Sequence, residues 1–242
     1  MMKFKEIKFH SNVSINFSRF FSGNSIQKLN YNSIPFYLRF KKLPKLNIKP
    51  NLNIFCQINV SEPDHSVILA NLLDPSGTHG QGSLFLNLFL EVFCPELLCS
   101  NNEHWTVTAE KEHYDIRIKN IDNSKIIIIE NKSNNARDQE NQLYRYWFNG
   151  IFLPQYNRET LGLDCFAKII YLSPSDCKQP EEQSLSRPGD LSTNFPAKIP
   201  DKLLDIKFFN KHIVKWLDMC IMNIETNTNV YYYLVQYRDF WR

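Results

Sequence analysis

At 242 residues, 43% hydrophobic and 14% aromatic, the chain carries enough apolar material for one substantial core. No apolar run approaches the length of a membrane span, and six cysteines scattered without a C-x-x-C pair exclude a zinc ribbon and a disulfide-rich secreted module. A soluble protein of the reducing cytoplasm, with no membrane partner, is expected.

The net charge of +3 is unevenly spread: residues 1–61 hold ten Lys/Arg and one acid, Glu6, for +9, whereas the other 18 Lys/Arg meet 24 acids, for −6. Residues 1–52 therefore read as a basic amino-terminal extension. Phe17, Phe20, Phe21, Tyr31, Phe36, Tyr37 and Phe40 lie between its charges, a mixture suited to phosphate contact and base stacking or to packing in a core. The folded domain is expected over residues 53–242. Ser61 with Asp64 three residues on, and Glu62-Pro63 in the first turn, start a helix that runs to Leu73 and stops at Asp74-Pro75. Glu62 sits at the positive end of that helix, where a carboxylate is stabilising. His65, one turn on, and His113 are candidates for phosphate contact or proton transfer. His79, in the loop H-G-Q-G, is placed to line a groove or to face solvent. Ser83 to Phe93, apolar nearly all round, predicts a buried helix.

Trp105, Val107 and Ala109 alternate with polar neighbours in a strand that ends at Glu110. Tyr114, Ile116 and Ile118 alternate with Asp115, Arg117 and Lys119 in a second. After a turn at Asn120 to Ser124, Ile126 to Ile129 reads as a strand buried on both faces that runs into Glu130, Asn131 and Lys132. Alternation puts Glu130 and Lys132 on the face of Ile128 and Asn131 on the other. In a hairpin, Asp115 and Glu130 come to the same end of the ladder. Two carboxylates a few ångströms apart repel unless a cation sits between them, and Mg²⁺ suits hard oxygen ligands and bridges to phosphate. Lys132 beside such an ion could hold or help deprotonate an attacking water.

Arg137 to Phe148 has helical spacing with Gln139, Gln142, Leu143 and Tyr146 on one stripe, and Phe166 to Leu172 is another buried strand. A crossover helix between two strands implies parallel pairing, so the core is an α/β mixed sheet in the order αβββαβ, flanked by helices. Residues 174–202, proline-rich and without periodicity, read as a long surface loop and a candidate gate. Helices over Asn210 to Asn223 and Val230 to Trp241 close the chain.

Asp115, the hairpin and Glu130-Asn131-Lys132 resemble the D…(D/E)-x-K signature of the PD-(D/E)XK nuclease superfamily. Gln142 and Tyr146 are similar to the Q-x-x-x-Y of its RecB-like members. S-E-P-D-H-S-V-I-L-A-N-L-L and the terminal W-L-x-x-C followed by Q-Y resemble the two ends of one bacterial family in it. The resemblance spans about Asn53 to Tyr237 and implies a restriction-endonuclease-like fold and a Mg²⁺- or Mn²⁺-dependent nuclease, with DNA the expected substrate. It implies Asp115, Glu130, the carbonyl of Asn131 and Glu62 as metal ligands, and Lys132 as the group acting on water. Gln142, Tyr146, Arg137 and Arg145 would contact the substrate, Tyr146 by stacking. A homo-oligomer, or a partner protein in a defence or mobile-element system, fits the company such nucleases keep. The rival reading is a catalytically silent nucleic-acid-binding or protein-interaction module of the same fold.

Overall fold

Five strands form one mixed sheet in the order β1-β2-β3-β4-β5 in the computed structural model, which describes residues 52–97 and 103–242; the basic extension lies outside them. β1 (Trp105–Lys111), β2 (Tyr114–Asn120) and β3 (Lys125–Asn131) are an antiparallel meander, and β4 (Phe166–Ser173) and β5 (Leu204–Phe208) run parallel to β3. Ile126 to Ile129 are fully covered because each face of β3 meets a separate core. Ile127 and Ile129 pack against α1 (Glu62–Leu73) and α2 (Leu84–Phe93), together with α5 (Val214–Met222) and α6 (Asn229–Trp241) of the carboxyl end. Ile126 and Ile128 pack against α3 (Gln142–Trp147) and the helix that continues it.

Local chemistry sets the ends of α1 where the sequence places them: the Ser61 N–H donates to Asp64 Oδ2 at 2.9 Å and the Asp64 N–H returns to Ser61 Oγ. Three departures are informative. Arg137 to Asn141 is not helical. Asp138 is pinned by the Tyr171 hydroxyl (2.9 Å) and the Glu181 N–H (2.7 Å), and Asn141 has a φ of 59°, so α3 begins only at Gln142 and Gln139 lies off its stripe.

The helix also does not stop at Phe148. It widens into a π segment over Phe148–Phe152 and runs on as α4 (Leu153–Thr160). Pro154 cannot donate to the Gly150 carbonyl, and Arg117 Nη2 does so instead at 3.2 Å. Gly150 has to lack a side chain there, since a Cβ would lie 2.5 Å from Ile128 Cδ1 and 2.9 Å from the Tyr114 hydroxyl.

The third departure is β5. Its Leu204, Ile206 and Phe208 alternate with Asp205 and Lys207, a period-2 signal only five residues long that follows directly on the proline-rich segment. That segment is anchored rather than loose on α3: the Tyr144 hydroxyl donates to the Pro196 carbonyl at 2.7 Å, the Asn141 N–H donates to the Gln183 carbonyl at 2.9 Å, and Ile199 is buried. Among the described residues no helix is long and apolar enough to cross a membrane, and Cys56, Cys94, Cys165, Cys177 and Cys220 are free.

Candidate active site

The β2–β3 ladder runs from Lys119 opposite Ile126 to Ile116 opposite Ile129 and then opens. Beyond it the Asn131 N–H donates to Asp115 Oδ2 at 2.6 Å, so a side chain takes the place of a strand carbonyl and is held over the end of β3. Continuing that register sets Asp115 opposite Glu130. On its other side Asp115 falls opposite Glu110, between the Ala109–Ile116 and Lys111–Tyr114 pairs of β1 and β2. Three acids from adjacent strands therefore stand in a row.

Glu130 is 1% exposed, and the Lys132 ammonium and the Tyr146 hydroxyl are the groups that reach its carboxylate. Lys132, nearly as buried, places Nζ 2.5 Å from Glu130 Oε1 and 3.6 Å from Asp138 Oδ1, and donates to Gln142 Oε1 at 3.3 Å. Gln142 Nε2 in turn donates to the Tyr146 hydroxyl at 3.2 Å. The side chains of Glu130, Lys132, Gln142 and Tyr146 thus form one chain of contacts.

Burial and the neighbouring Glu130 push the Asp115 carboxyl up to about 8, against the opposing pull of the Asn131 N–H. Glu130 is also raised, by burial first and only partly offset by Lys132. Burial alone would lower Lys132, but Glu130 and Asp138 outweigh it and hold the ammonium above its ordinary value. Burial, then the Glu130 and Asp115 charges, raise the Tyr146 phenol. The site is a pocket of excess negative charge with one internal cation.

An open groove of about 960 Å³ adjoins it, lined among others by Glu110, His113, Asp115, Gln142, Arg145 and Tyr146. The structure brings these together with Glu130 and Lys132 behind them. Arg145 is exposed and pairs with Asp190 of the 174–202 segment at 3.3 Å; among the described residues the segment lines none of the groove itself. Arg137 is exposed on the loop before α3, outside the groove lining. Glu62 reaches the end of β3 from the Asn131 side: its carbonyl accepts from Asn131 Nδ2 at 2.8 Å and its Oε2 from the Asn134 N–H at 3.2 Å. Its carboxylate is not part of the groove lining.

Three expectations are corrected. His65 is a core residue, packed among Phe209, Tyr237, Phe240 and Trp241 with Nδ1 3.0 Å from the Tyr237 hydroxyl, and burial takes it down to about 4. His79 is buried and closes its own loop, with Nε2 against the Asp74 carbonyl and Nδ1 accepting from the Gln81 N–H. Tyr146 offers no ring face for stacking, because the residue is 4% exposed and its ring meets Tyr114 edge to face at 5.1 Å; its hydroxyl is what remains. Sequence reasoning missed Asp138 altogether, and of Glu110 it noted only that it ends a strand. The first has no local signal, and the second carried only that of an acid at a strand end.

The donor set fits a hard divalent cation. Among the described residues no three His, Cys, Asp or Glu side chains are grouped to hold an ion by themselves. On offer are the hard oxygens of the Asp115 and Glu130 carboxylates, with the Asn131 N–H on one oxygen of Asp115 and the Lys132 ammonium on one oxygen of Glu130. The Asn131 side chain is already engaged with Glu62, Ser66 and the Ser133 N–H. Few protein oxygens with room for water and phosphate is the pattern Mg²⁺ and Mn²⁺ accept.

A mixed sheet with an aspartate where β2 leaves the ladder, Glu-x-Lys at the end of β3 and helices on both faces defines the restriction-endonuclease-like class. The chain belongs to the PD-(D/E)XK nuclease superfamily, whose family model matches residues 52–239. Comparison with curated proteins and with solved structures gave no match.

Proposed function

We propose that this protein is a Mg²⁺- or Mn²⁺-dependent deoxyribonuclease. The observation that carries the reading is the pairing of two buried acids with one ammonium: Glu130, 1% exposed and held by Lys132, lies across the strand from Asp115, which lines an open groove. Asp115, Glu130 and the Asn131 carbonyl would hold the ion, which when bound polarises the scissile phosphate and lowers the pKa of a bound water. Lys132, kept cationic by its acid neighbours, orients that water and offsets charge gathering on the phosphate. Gln142, already bonded to Lys132 and Tyr146, holds the ammonium's direction and presents a side-chain amide to the substrate. The Tyr146 hydroxyl is a second donor to phosphate, as the Q-x-x-x-Y of RecB-like members suggests.

Arg145 and Arg137 neutralise flanking phosphates, Arg145 by exchanging Asp190 for the substrate. Glu62, on the Asn131 side of β3, would support a bound ion only through solvent. The acid-rich groove means that a polyanion enters only with the divalent ion in place. Superfamily membership favours DNA; the site's own chemistry does not choose, because the reacting phosphate is common to DNA and RNA. The free cysteines support a reducing, cytoplasmic setting.

The test is incubation of plasmid, linear and single-stranded DNA, and RNA, with the protein and Mn²⁺ or EDTA, alongside Asp115→Asn. Cleavage of DNA with Mn²⁺, lost in EDTA and in the variant, is expected. Nucleic-acid binding that EDTA leaves untouched, without strand scission, would make the protein a silent module of the same fold.

A further inference from the structure

Asp138 has no part in the roles assigned above. It lies in the loop between β3 and α3 with its side chain 0% exposed. Two donors fix it independently of the active site: the Tyr171 hydroxyl on β4 at Oδ1 (2.9 Å) and the Glu181 N–H at Oδ2 (2.7 Å). A carboxylate taken fully out of water also needs a cation, and the Lys132 ammonium is 3.6 Å from Oδ1. That same ammonium is 2.5 Å from Glu130 Oε1. One buried ammonium therefore stands between two buried acids, and it rests on the one that a metal ion needs.

This arrangement contains a conflict. A divalent cation on Asp115 and Glu130 competes with Lys132 for the Glu130 oxygens, and the two cations repel at short range. Resting on the metal-site reading above, we infer that Asp138 is a positioning residue that receives the Lys132 ammonium when a divalent cation takes Glu130. Asp138 does not have to move, since its two donors hold it where it is. The Gln142 carbonyl oxygen, 3.3 Å from Nζ, gives the amine a second acceptor beside it. No proton is transferred: Lys132 stays an ammonium and exchanges one carboxylate partner for another. The exchange keeps it in the site, near the substrate, instead of expelling it to solvent.

The experiment measures Mn²⁺ affinity of the full chain by electron paramagnetic resonance for the wild type, Asp138→Asn, Lys132→Met and the double variant. Asparagine can still accept from the Glu181 N–H and donate to the Tyr171 oxygen, so it removes charge more than shape. Asp138→Asn is expected to weaken Mn²⁺ about tenfold, a coupling of ordinary size for neighbouring buried groups. Lys132→Met should bind at least as tightly as the wild type, and the double variant should match Lys132→Met. An unchanged affinity in Asp138→Asn, or a weakening that persists without Lys132, overturns the inference. In the unmutated chain, added Mg²⁺ should shift the ¹³C carboxylate resonance of Asp138 together with that of Glu130, and an unmoved Asp138 signal would equally defeat it. A wild type that binds no Mn²⁺ defeats the metal-site reading and this inference with it. Tight wild-type binding with Asp138→Asn unaffected defeats the inference alone.

Discussion

Replacing Lys132 with methionine keeps the reach of the side chain and deletes the ammonium between Glu130 and Asp138. Both acids are almost wholly buried, Glu130 at 1% and Asp138 at 6% exposed, and removing one partner of such a pair costs about 3–5 kcal/mol if the charge left behind stays ionised. A buried acid escapes part of that cost by keeping its proton, which makes the loss depend on pH. Glu130 already titrates above its ordinary value of 4.5, and without Lys132 it rises further.

A group raised in the folded state contributes fully below its unfolded value and loses that contribution as pH climbs toward the folded one. Lys132→Met should therefore melt close to the wild type near pH 4.5 and fall progressively below it up to pH 8. A deficit of about 3 kcal/mol at the upper end corresponds to roughly 6–12 °C for a domain of this size. Circular-dichroism melts of both proteins at half-unit pH steps, without divalent ions, measure it. A deficit that is the same at every pH would mean that Lys132 serves only packing, and the charge argument would fail.

Asp115→Asn should melt higher than the wild type at pH 8, because it removes a carboxyl that burial and Glu130 push up to about 8 while its amide oxygen can still accept from the Asn131 N–H. The same variant should lose Mn²⁺ binding in a calorimetric titration. His65 titrates at about 4 against an ordinary 6.5, so the unfolded chain takes the proton first, and stability is full above 6.5 and lost as pH falls toward 4. His65→Gln should remove roughly 3 kcal/mol of that acid sensitivity in urea titrations run across the window; an unchanged pH slope would contradict the neutral, buried histidine. Gly150→Ala forces a Cβ to 2.5 Å from Ile128 Cδ1 and should cost about 1–3 kcal/mol as overpacking, read from the urea midpoint. Excess Mg²⁺ should raise the wild-type melting temperature, by about 2.7 kcal/mol of stability at a hundred times its Kd, and should leave Asp115→Asn unmoved.

Elements with a strong local signature were legible before any coordinates. The capping box placed the first turn of α1, four consecutive isoleucines marked β3, and the alternation from Tyr114 to Lys119 with the following turn produced the hairpin. Less was legible where a group from far along the chain overrides a local signal. The helical spacing from Arg137 was overridden by Asp138, whose partners lie 33 and 43 residues away. The short alternation of β5 was hidden behind prolines, and Pro154 was accommodated in a long helix only because Arg117, from another strand, serves the Gly150 carbonyl.

Periodicity and spacing alone determined that an aspartate, a glutamate and a lysine meet at one end of a hairpin, because side-chain alternation and antiparallel pairing are properties of the backbone. Only the tertiary structure decided what surrounds them: Glu110 beside Asp115, Asp138 behind Lys132, His65 withdrawn into the core, and Tyr146 reduced to its hydroxyl. The reason is physical. Burial and charge balance depend on groups brought together from distant parts of the chain, and no window of neighbouring residues contains them.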